Sequence, residues 1–506
     1  RRAGLMSLYH EGPFKSWGHF IVDSAQFPSG RAGLKSAVEK ARALGLHFGV
    51  HTLTNFINTN DPYVTPVPDP RLSVTGTSAL VRAIDATART IEVRAPTFFS
   101  DTANNSLHTV RIGAELIQYR AVSAVPPYQL LDCQRGAFGT TASAHAAGDS
   151  VGKLFDHPYN VFFPNFAMQR EVARNLADFL NETGVDHLDF DGFEGGLASG
   201  QGDYALEVFA DDVRTQVRHE LIYGTSISKS FYWHTGSYYN WGEPWNGGFT
   251  ESMQQYRIDN QALFDRNYMP HMLGWYLLTE RTTLAEMEWM LARAAGYGAG
   301  FAMVARPKAL RANPLTPALL DAIREWEQAR HAGAFSTEQR ARLKDARNEF
   351  HLEATGAGTW ALSQLLESPP FSHAAVERQP GEPTHASFTF EQSWGAQPLQ
   401  FRLAALGGDG SASRIELRVD GYLTVELPVQ LRAGERLATD GAGGVQLYDA
   451  SGKVRERVTL RSALPTLPSG RHTITLDARF AGDVPPSLEL RLRGSGTPEV
   501  ARAASR

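Results

Sequence analysis

Residues Gly184–Glu194 read GVDHLDFDGFE, a short apolar strand that ends in acidic side chains. Side chains alternate between the two faces of a strand, so Asp189 and Asp191 share one face, with Asp191 nearer the end of the strand. Glu194 adds a third carboxyl group, and glycines at positions 192, 195 and 196 open the backbone beside it. Carboxylates that end a buried strand are costly to desolvate, which favours a catalytic role over helix capping or cation binding.

The composition is typical of a globular protein with more than one domain. The chain has 506 residues, of which 42% are hydrophobic and 10% aromatic, and it is too long for a single core. A net charge of -5 provides no basic surface for nucleic acid, so we expect no nucleic-acid partner. No apolar run is long enough to span a bilayer, so we expect no membrane partner.

Cysteine usage narrows the chemistry and the compartment. Cys133 is the only cysteine, which excludes an internal disulfide and a cysteine-based metal site. This usage fits the cytosol or a bacterial secreted enzyme. We expect a secreted or periplasmic location, although no secretion signal is visible in a chain that starts almost directly in a strand. The sequence indicates no cofactor and does not define an oligomeric state.

A β-α rhythm starts the chain. Leu5–Tyr9 and Leu46–Leu53 are predicted strands, and apolar residues recur at helical spacing over Gly33–Leu44. The alternation resumes after residue 151, and it predicts an α/β fold, a (β/α)8 TIM barrel formed by residues 1–65 and 152–335. The later predicted elements are the helices Gln169–Leu180, Tyr204–Glu220, Leu284–Ala295 and Leu315–Arg330, and the strands Leu221–Ile227, Met272–Leu278 and Gly300–Val304.

Two other regions are predicted to be mainly β. Residues 66–151 are short β runs separated by turn residues and indicate a small inserted β-domain. Within it, Arg135–Thr141 followed by His145 is interpreted as a tight structural turn, with a substrate contact as the alternative. Residues 336–506 are predicted to form a charged helical bridge and an antiparallel β-sandwich that braces the barrel or binds glycan. The tail after Gly494 is predicted to be disordered.

Several short motifs resemble melibiase-type glycoside hydrolases, the α-galactosidase and α-N-acetylgalactosaminidase family and its barrel relatives. Asp23, the FPSG turn at 27–30 and the GLHFGVH run at 45–51 are similar to the second and third barrel strands of that family. The run 188–191 is similar to the strand that ends in the family's nucleophile, which the resemblance places at Asp191. The WGEPW turn at 241–245 and the MPHMLGW run at 269–275 resemble the turn after the fifth strand and the entry to the seventh. The resemblance covers roughly Leu5 to Val304 without the insert.

The chain departs from this family at three places. The family has two adjacent aspartates that hold galactose hydroxyls, where this chain has Tyr9, His10 and Glu11, and Asp189 replaces a family lysine. We therefore expect a sugar other than a plain terminal α-galactose. The family's acid/base aspartate has no clear counterpart. By order along the chain, Asp259 is the first choice and Glu243 the second.

Together these patterns predict a glycoside hydrolase that cleaves an α-linked sugar in a poly- or oligosaccharide. Two carboxylates flank the scissile bond in such enzymes, about 5 Å apart when configuration is retained. Asp191 is the predicted nucleophile, and Asp259 or Glu243 the predicted acid/base. Further acids would raise the pKa of the acid/base or hold sugar hydroxyls. Aromatic rings would stack on sugar faces, and arginine would bind an anionic group of the substrate. The predicted substrate-binding residues, each also compatible with a packing, capping or salt-bridging role, are Asp189, Glu194, His10, Glu11, His51, Trp233, His234, Trp241, Arg257 and Trp275.

Alternative functions remain open on the sequence. A polysaccharide lyase would need a Tyr or His base, with Arg257 or Lys15 neutralising a uronate. A carbohydrate-binding protein with an inactive barrel would bind glycan without turning it over. A further alternative is a metal site with the ligands His10, His51, Asp189 and Asp191, but no ligand spacing in the sequence supports it.

Overall fold

The computed structural model describes most of the chain. The residues outside the description are 102, 193, 227–231, 240–248, 250–254, 268, 377, 378, 380, 393, 394, 440–442, 451, 452, 505 and 506, and only the backbone is described for 194, 197, 232, 233 and 255–260. The chain divides into an amino-terminal unit, Met6–Tyr239, and a carboxy-terminal unit, Asn240–Arg506 with Arg1–Leu5.

The amino-terminal unit mixes parallel and antiparallel strands with helices. Its strands are β1 (Ser7–His10), β2 (Phe14–Ser16), β3 (Ile21–Val22), β4 (His47–Leu53), β5 (Ile57–Asn58), β6 (Val74–Ala79), β7 (Ile91–Glu92), β8 (Thr109–Ile112), β9 (Glu115–Gln118), β10 (Ala121–Val122), β11 (Gln129–Leu131), β12 (Ser150–Leu154), β13 (Asp156–His157), β14 (Val161–Phe162), β15 (His187–Asp191), β16 (Ile222–Thr225) and β17 (Tyr238–Tyr239). Its helices are α1 (Gly30–Ala43), α2 (Phe166–Thr183), α3 (Glu194–Leu197), α4 (Asp203–Gln216) and α5 (Tyr232–Thr235).

A five-stranded parallel sheet organises this unit. Its strand order is β1-β4-β15-β16-β17, so the strands lie side by side in the order in which they occur along the chain. Helices α1 and α2 lie in the connections and bury one apolar face each, as the helical spacing predicts. The side chain of Asn165 caps the start of α2, and Gly184, at a φ of 73°, ends it three residues before β15 begins at His187.

The region between residues 66 and 151 consists mainly of short strands, as predicted. They form one sheet of order β6-β12-β8-β9 and another of order β10-β11-β7. Side chains from both sheets, among them Val110, Ile117 and Leu130, share one hydrophobic cluster. The view of this region as an inserted domain stays a prediction.

The turn at Arg135–Thr141 is held by a buried carboxylate. Glu115 accepts hydrogen bonds from Arg135 Nε at 2.8 Å and Nη2 at 2.7 Å, from His145 Nε2 at 2.8 Å and from the backbone N–H of Gly136 at 2.9 Å. Gly136 has a φ of 61°, and a Cβ there would lie 2.7 Å from the carbonyl oxygen of Thr140. The polar side chains of this motif are therefore used to fix the turn, as the structural interpretation predicts.

The carboxy-terminal unit begins with helices and a parallel strand pair. Its strands are β18 (Met272–Leu278), β19 (Gly300–Ala305), β20 (Glu349–Gly356), β21 (Thr359–Glu367), β22 (Phe371–His373), β23 (Ala386–Gln392), β24 (Gln397–Pro398), β25 (Gln400–Leu406), β26 (Ser411–Val419), β27 (Leu423–Leu427), β28 (Leu431–Arg432), β29 (Arg436–Thr439), β30 (Val445–Tyr448), β31 (Val454–Val458), β32 (Thr466–Leu467), β33 (Gly470–Ala481), β34 (Ser487–Ser495) and β35 (Glu499–Arg502). Its helices are α6 (Gln255–Arg266), α7 (Leu284–Tyr297), α8 (Pro307–Ala312), α9 (Thr316–His331) and α10 (Thr337–Lys344).

The antiparallel region at the carboxy-terminal end is confirmed. A nine-stranded sheet contains β25 and β34, and a five-stranded sheet contains β26 and β33. Apolar side chains of all four strands join one buried cluster, which is the packing of a β-sandwich. The predicted helical bridge is α10, which Ser336 and Gln339 start with a capping box.

The prediction of a disordered tail after Gly494 is wrong. Strand β34 continues to Ser495, and β35 pairs antiparallel with β21, where Ala501 lies opposite Trp360 and is fully buried. Polar and glycine residues flank this strand, and its order comes from the partner strand, which the local composition does not reveal.

Closure into an eight-stranded barrel stays a prediction. The described parallel strands form a sheet of five in the amino-terminal unit and the pair β18-β19 in the carboxy-terminal unit. Each set has helices in its connections, as a (β/α)8 barrel requires.

Replacing Glu115 with Gln should destabilise the amino-terminal unit by about 3 kcal/mol, because Arg135 would be left without its buried carboxylate. Burial opposes the charge, but the bond from Arg135 and the other bonds still lower the pKa of Glu115. A lowered carboxyl pKa contributes stability that is present above the unfolded pKa of about 4.3 and is lost as pH falls through the folded pKa. Urea unfolding at pH 7 and near pH 3 should therefore show a difference between wild type and Glu115→Gln that shrinks in acid.

Glu92→Gln is the matched control, because Glu92 meets Arg82, whose side chain is 80% exposed. This surface pair should change stability by less than about 1 kcal/mol. Equal effects of the two substitutions would contradict the structural role of Glu115.

Candidate functional site

Asp189 is a buried carboxylate in the middle of the parallel sheet. It lies on β15 opposite His51 of β4 and Gly224 of β16, and only 3% of its surface is exposed. The hydroxyl of Tyr9 on β1 donates to Asp189 Oδ2 at 3.0 Å, and His51 Nδ1 lies 3.4 Å from the same oxygen. Three neighbouring strands therefore converge on one acid, which compensates part of its desolvation.

Two glycines make room for this cluster. A Cβ at Gly224 would lie 2.6 Å from Tyr238 Oη and 2.9 Å from Asp189 Oδ1. A Cβ at Gly49 would lie 2.6 Å from the ring of Tyr9. Both positions belong to strands, where glycine weakens the strand, so their use here reflects the close approach of large side chains.

His187 continues the same face of β15 one step below Asp189. Its Nδ1 lies 2.8 Å from Ser7 Oγ, and its Nε2 lies 2.7 Å from Tyr238 Oη. Burial lowers the pKa of His187 to about 4, so the imidazole is neutral at ordinary pH and uses one nitrogen as donor and the other as acceptor. Burial, with Asp189 adding to it, raises the pKa values of Tyr9 and Tyr238 well above their usual range, so both keep their protons.

Asp191 ends β15 on the same face and is less buried than Asp189. Its Oδ1 accepts a hydrogen bond from Ser226 Oγ at 2.8 Å, and the hydroxyl of Thr54 donates to its backbone oxygen. Ser226 directly follows β16, and Thr54 directly follows β4. The neighbouring strand ends therefore hold Asp191 at the carboxyl edge of the sheet, where a carboxylate can meet a ligand.

The structure brings together three of the residues predicted from the sequence, namely Asp189, Asp191 and His51. His10 is adjacent to Tyr9 on β1, so its side chain lies on the opposite face of that strand, where its ring contacts Phe27 at 5.5 Å. Glu11 is exposed directly after β1.

Other predicted residues fall elsewhere or outside the described side chains. His234 is exposed on α5, and Trp275 lies on β18 of the carboxy-terminal unit, half-buried. The side chains of Glu194, Trp233, Arg257 and Asp259 lie outside the description, although their backbones belong to helices. Trp241 and Glu243 lie outside the described residues altogether.

Tyr9, His187, Tyr238 and Ser226 are members of the cluster that the sequence-based site did not include. The alternation of β1 places Tyr9 on the site face and the alternation of β15 does the same for His187, so both had a detectable signal. The presence of Tyr238 and Ser226 in the cluster depends on which strands become neighbours, and no local sequence pattern reveals that pairing.

Two features are absent from the residues that the structure describes, a cluster of metal-ligand side chains and a membrane-spanning helix. No three His, Cys, Asp or Glu side chains of these residues are grouped as metal ligands. No helix among them combines the length and apolar character needed to cross a membrane.

No protein-family model matches the chain. No curated protein matches it either. Solved structures do match it. An α-amylase of Geobacillus thermoleovorans complexed with acarbose is 11% identical, with a TM-score of 0.37 over 94% of this chain and 89% of that chain. An isomalto-dextranase of Arthrobacter globiformis complexed with panose is 11% identical, with a TM-score of 0.38 over 97% and 90%. An α-galactosidase of Geobacillus stearothermophilus complexed with raffinose is 10% identical, with a TM-score of 0.36 over 94% and 52%.

All three of these structures are of glycoside hydrolases, and one of them is an α-galactosidase. TM-scores below 0.5 do not show a shared fold, so the function rests on the residues of the site.

Replacing Gly224 with Ala should destabilise the protein by roughly 1–3 kcal/mol, because the new methyl group would push Tyr238 and Asp189 out of place. Gly300→Ala is the matched control on another parallel strand, where the nearest atom to the new Cβ is 3.8 Å away. Thermal unfolding followed by circular dichroism measures both. Equal melting temperatures for the two variants would show that the space above Gly224 is not needed.

Proposed function

We propose that this protein is a glycoside hydrolase that cleaves an α-linked sugar with Asp191 as the nucleophile. The observation that carries the proposal is the placement of Asp191 at the carboxyl end of β15, bonded to Ser226 and directly above the buried cluster of Asp189. The sequence motifs that resemble melibiase-type enzymes support the same role for Asp191. The proposal includes the (β/α)8 barrel of residues 1–65 and 152–335. It is supported by the five parallel strands of the amino-terminal unit, which lie side by side in the order in which they occur along the chain.

A nucleophilic carboxylate must be ionised, accessible and held in one orientation. Asp191 is partly exposed, and among the described residues the hydroxyl of Ser226 donates to its Oδ1 and orients the carboxylate. Oδ2 is the oxygen proposed to attack an anomeric carbon. Asp189 is buried, and its carboxylate is held by contacts with Tyr9 and His51. The two acids of one strand therefore divide into a positioning group and a reacting group.

The acid/base remains a proposal on sequence order. A retaining mechanism needs a second carboxyl group about 5 Å from the nucleophile, which protonates the leaving oxygen and then activates water. Asp259 is the first choice and Glu243 the second.

A polysaccharide lyase is the second candidate, favoured by one contact. His51 Nδ1 faces the buried carboxylate of Asp189 at 3.4 Å, and a carboxylate that orients an imidazole is a common arrangement for a general base. Such an enzyme would release unsaturated products that absorb in the ultraviolet, whereas a hydrolase releases saturated reducing ends.

Replacing Asp191 with Asn should lower turnover of the cleaved glycan by at least about 1,000-fold, because an amide cannot form the glycosyl ester. Reducing-end release from a panel of α-linked polysaccharides and aryl α-glycosides measures the effect. Asp211→Asn is the control, since Asp211 is exposed on α4 and forms only a surface pair with Arg214. Turnover that survives in Asp191→Asn would contradict the nucleophile assignment, and unsaturated products would favour the lyase.

Asp259→Ala and Glu243→Ala separate the two acid/base candidates. Loss of the true acid should reduce turnover of alkyl glycosides strongly and that of 2,4-dinitrophenyl glycosides much less, because a good leaving group needs no proton. Azide should restore the activity of the variant that lacks the true acid, because azide attacks the glycosyl-enzyme. The other variant should depend on the leaving group as wild type does and should not respond to azide. The absence of rescue in both variants would place the acid/base elsewhere.

A further inference from the structure

A second feature of the amino-terminal unit lies next to the end of β15. Four rings follow one another as an aromatic strip of Trp17, Phe56, His157 and Tyr159. The ring centroids are 6.4 Å apart from Trp17 to Phe56, 5.5 Å from Phe56 to His157 and 4.5 Å from His157 to Tyr159. Neighbouring rings meet at interplanar angles of 56° to 87°, so each step is an edge contact or tilted contact. Trp17, Phe56 and the pair His157 and Tyr159 come from three different chain segments.

The strip is built on a small sheet with fixed geometry. Strand β14 pairs with both β5 and β13, and Phe56 and His157 belong to these strands or adjoin them. Trp17 is docked by its backbone, whose N–H donates to Asn58 Oδ1 at 2.6 Å while the Asn58 N–H donates to the Trp17 carbonyl oxygen at 3.4 Å. The rings are therefore held by backbone pairing and not only by their own contacts.

The strip is continuous with the proposed catalytic edge. Phe56 is 1% exposed, and its ring lies 3.1 Å from the position of a Cβ at Gly192, the residue after Asp191. The chain reaches Phe56 directly from the end of β4, and Thr54 on the way donates to the backbone oxygen of Asp191. The buried ring of the strip, Phe56, therefore contacts the segment that carries the proposed nucleophile.

The other three rings of the strip reach solvent. Tyr159 is 60% exposed, and His157 and Trp17 are half-buried. Asn60 and Asn160, which come shortly after β5 and Tyr159 in the chain, are exposed residues, and Asn60 Nδ2 donates to the carbonyl oxygen of Lys15 at 3.3 Å. Amides supply both donors and acceptors, which sugar hydroxyls require, and aromatic rings supply rigid platforms for the C–H faces of sugars. The chemistry of a glycan chain fits this combination better than that of an apolar peptide or a charged ligand.

We infer that the aromatic strip is a subsite that binds sugar units beyond the one whose bond is cleaved. The substrate is then a glycan chain that crosses the edge of the sheet past Gly192, and Tyr159 contacts the units farthest from Asp191. This inference rests on the proposed function, since it places the strip beside the proposed nucleophile.

Tyr159→Ala tests the subsite, with Tyr159→Phe as the conservative variant and Tyr204→Ala as the control. Tyr204 is 58% exposed on α4 and stacks on Phe166, which is not a member of the strip, so it matches Tyr159 in exposure. The probes are amylose, dextran and galactomannan, with 4-nitrophenyl α-glucoside and α-galactoside as short substrates. Tyr159→Ala should lower kcat/KM on the cleaved polymer about 3- to 10-fold through KM, and leave the short substrate within about twofold. Tyr159→Phe and Tyr204→Ala should behave as wild type.

The other outcomes separate the subsite from the proposed function. An unchanged kcat/KM on the polymer, or equal losses on polymer and short substrate, would overturn the subsite and leave the hydrolase intact. If no probe is cleaved, affinity electrophoresis in gels that contain each polymer decides the case. If a polymer slows the migration of the wild-type protein and slows Tyr159→Ala less, the result would support the strip as a binding site and overturn the hydrolase. Equal retardation of the two proteins, or none, would overturn both.

Discussion

Burial of the Asp189 carboxylate is the constraint on which the amino-terminal sheet depends. A carboxylate that is 3% exposed must receive hydrogen bonds, and the donors come from other strands, Tyr9 from β1 and His51 from β4. The cluster therefore specifies which strands are neighbours and in what register. Gly224 on β16 belongs to the same constraint, because any larger residue would occupy the space of the carboxylate.

The same cluster separates the properties of two acids on one strand. Around Asp189, burial keeps Tyr9 and Tyr238 protonated and His187 neutral. Asp191 lies two residues farther along the same face, where Ser226 orients it and solvent reaches it. A buried positioning acid below a partly exposed acid is an arrangement suited to nucleophilic chemistry at a strand end.

The sequence predicted the elements that have strong local patterns. The helical spacing of α1 and α2 and the acid-ending strand β15 were detectable because their periodicity reflects which face is buried. The order of β35 was missed, since it comes from pairing with β21. Within the site, Asp191, Asp189 and His51 were found by position, whereas the roles of Tyr238 and Ser226 depend on contacts between strands that are distant in the chain.

The sequence by itself determined that Asp189 and Asp191 share one face of a strand, because alternation is a property of the backbone. Only the tertiary structure decided which acid is buried and which is accessible, because this depends on Tyr9, His51 and Gly224 arriving from three other strands. It likewise assembled the aromatic strip, whose four rings come from three separate segments of the chain. Burial and side-chain contact are set by packing across the sheet, which a local pattern does not encode.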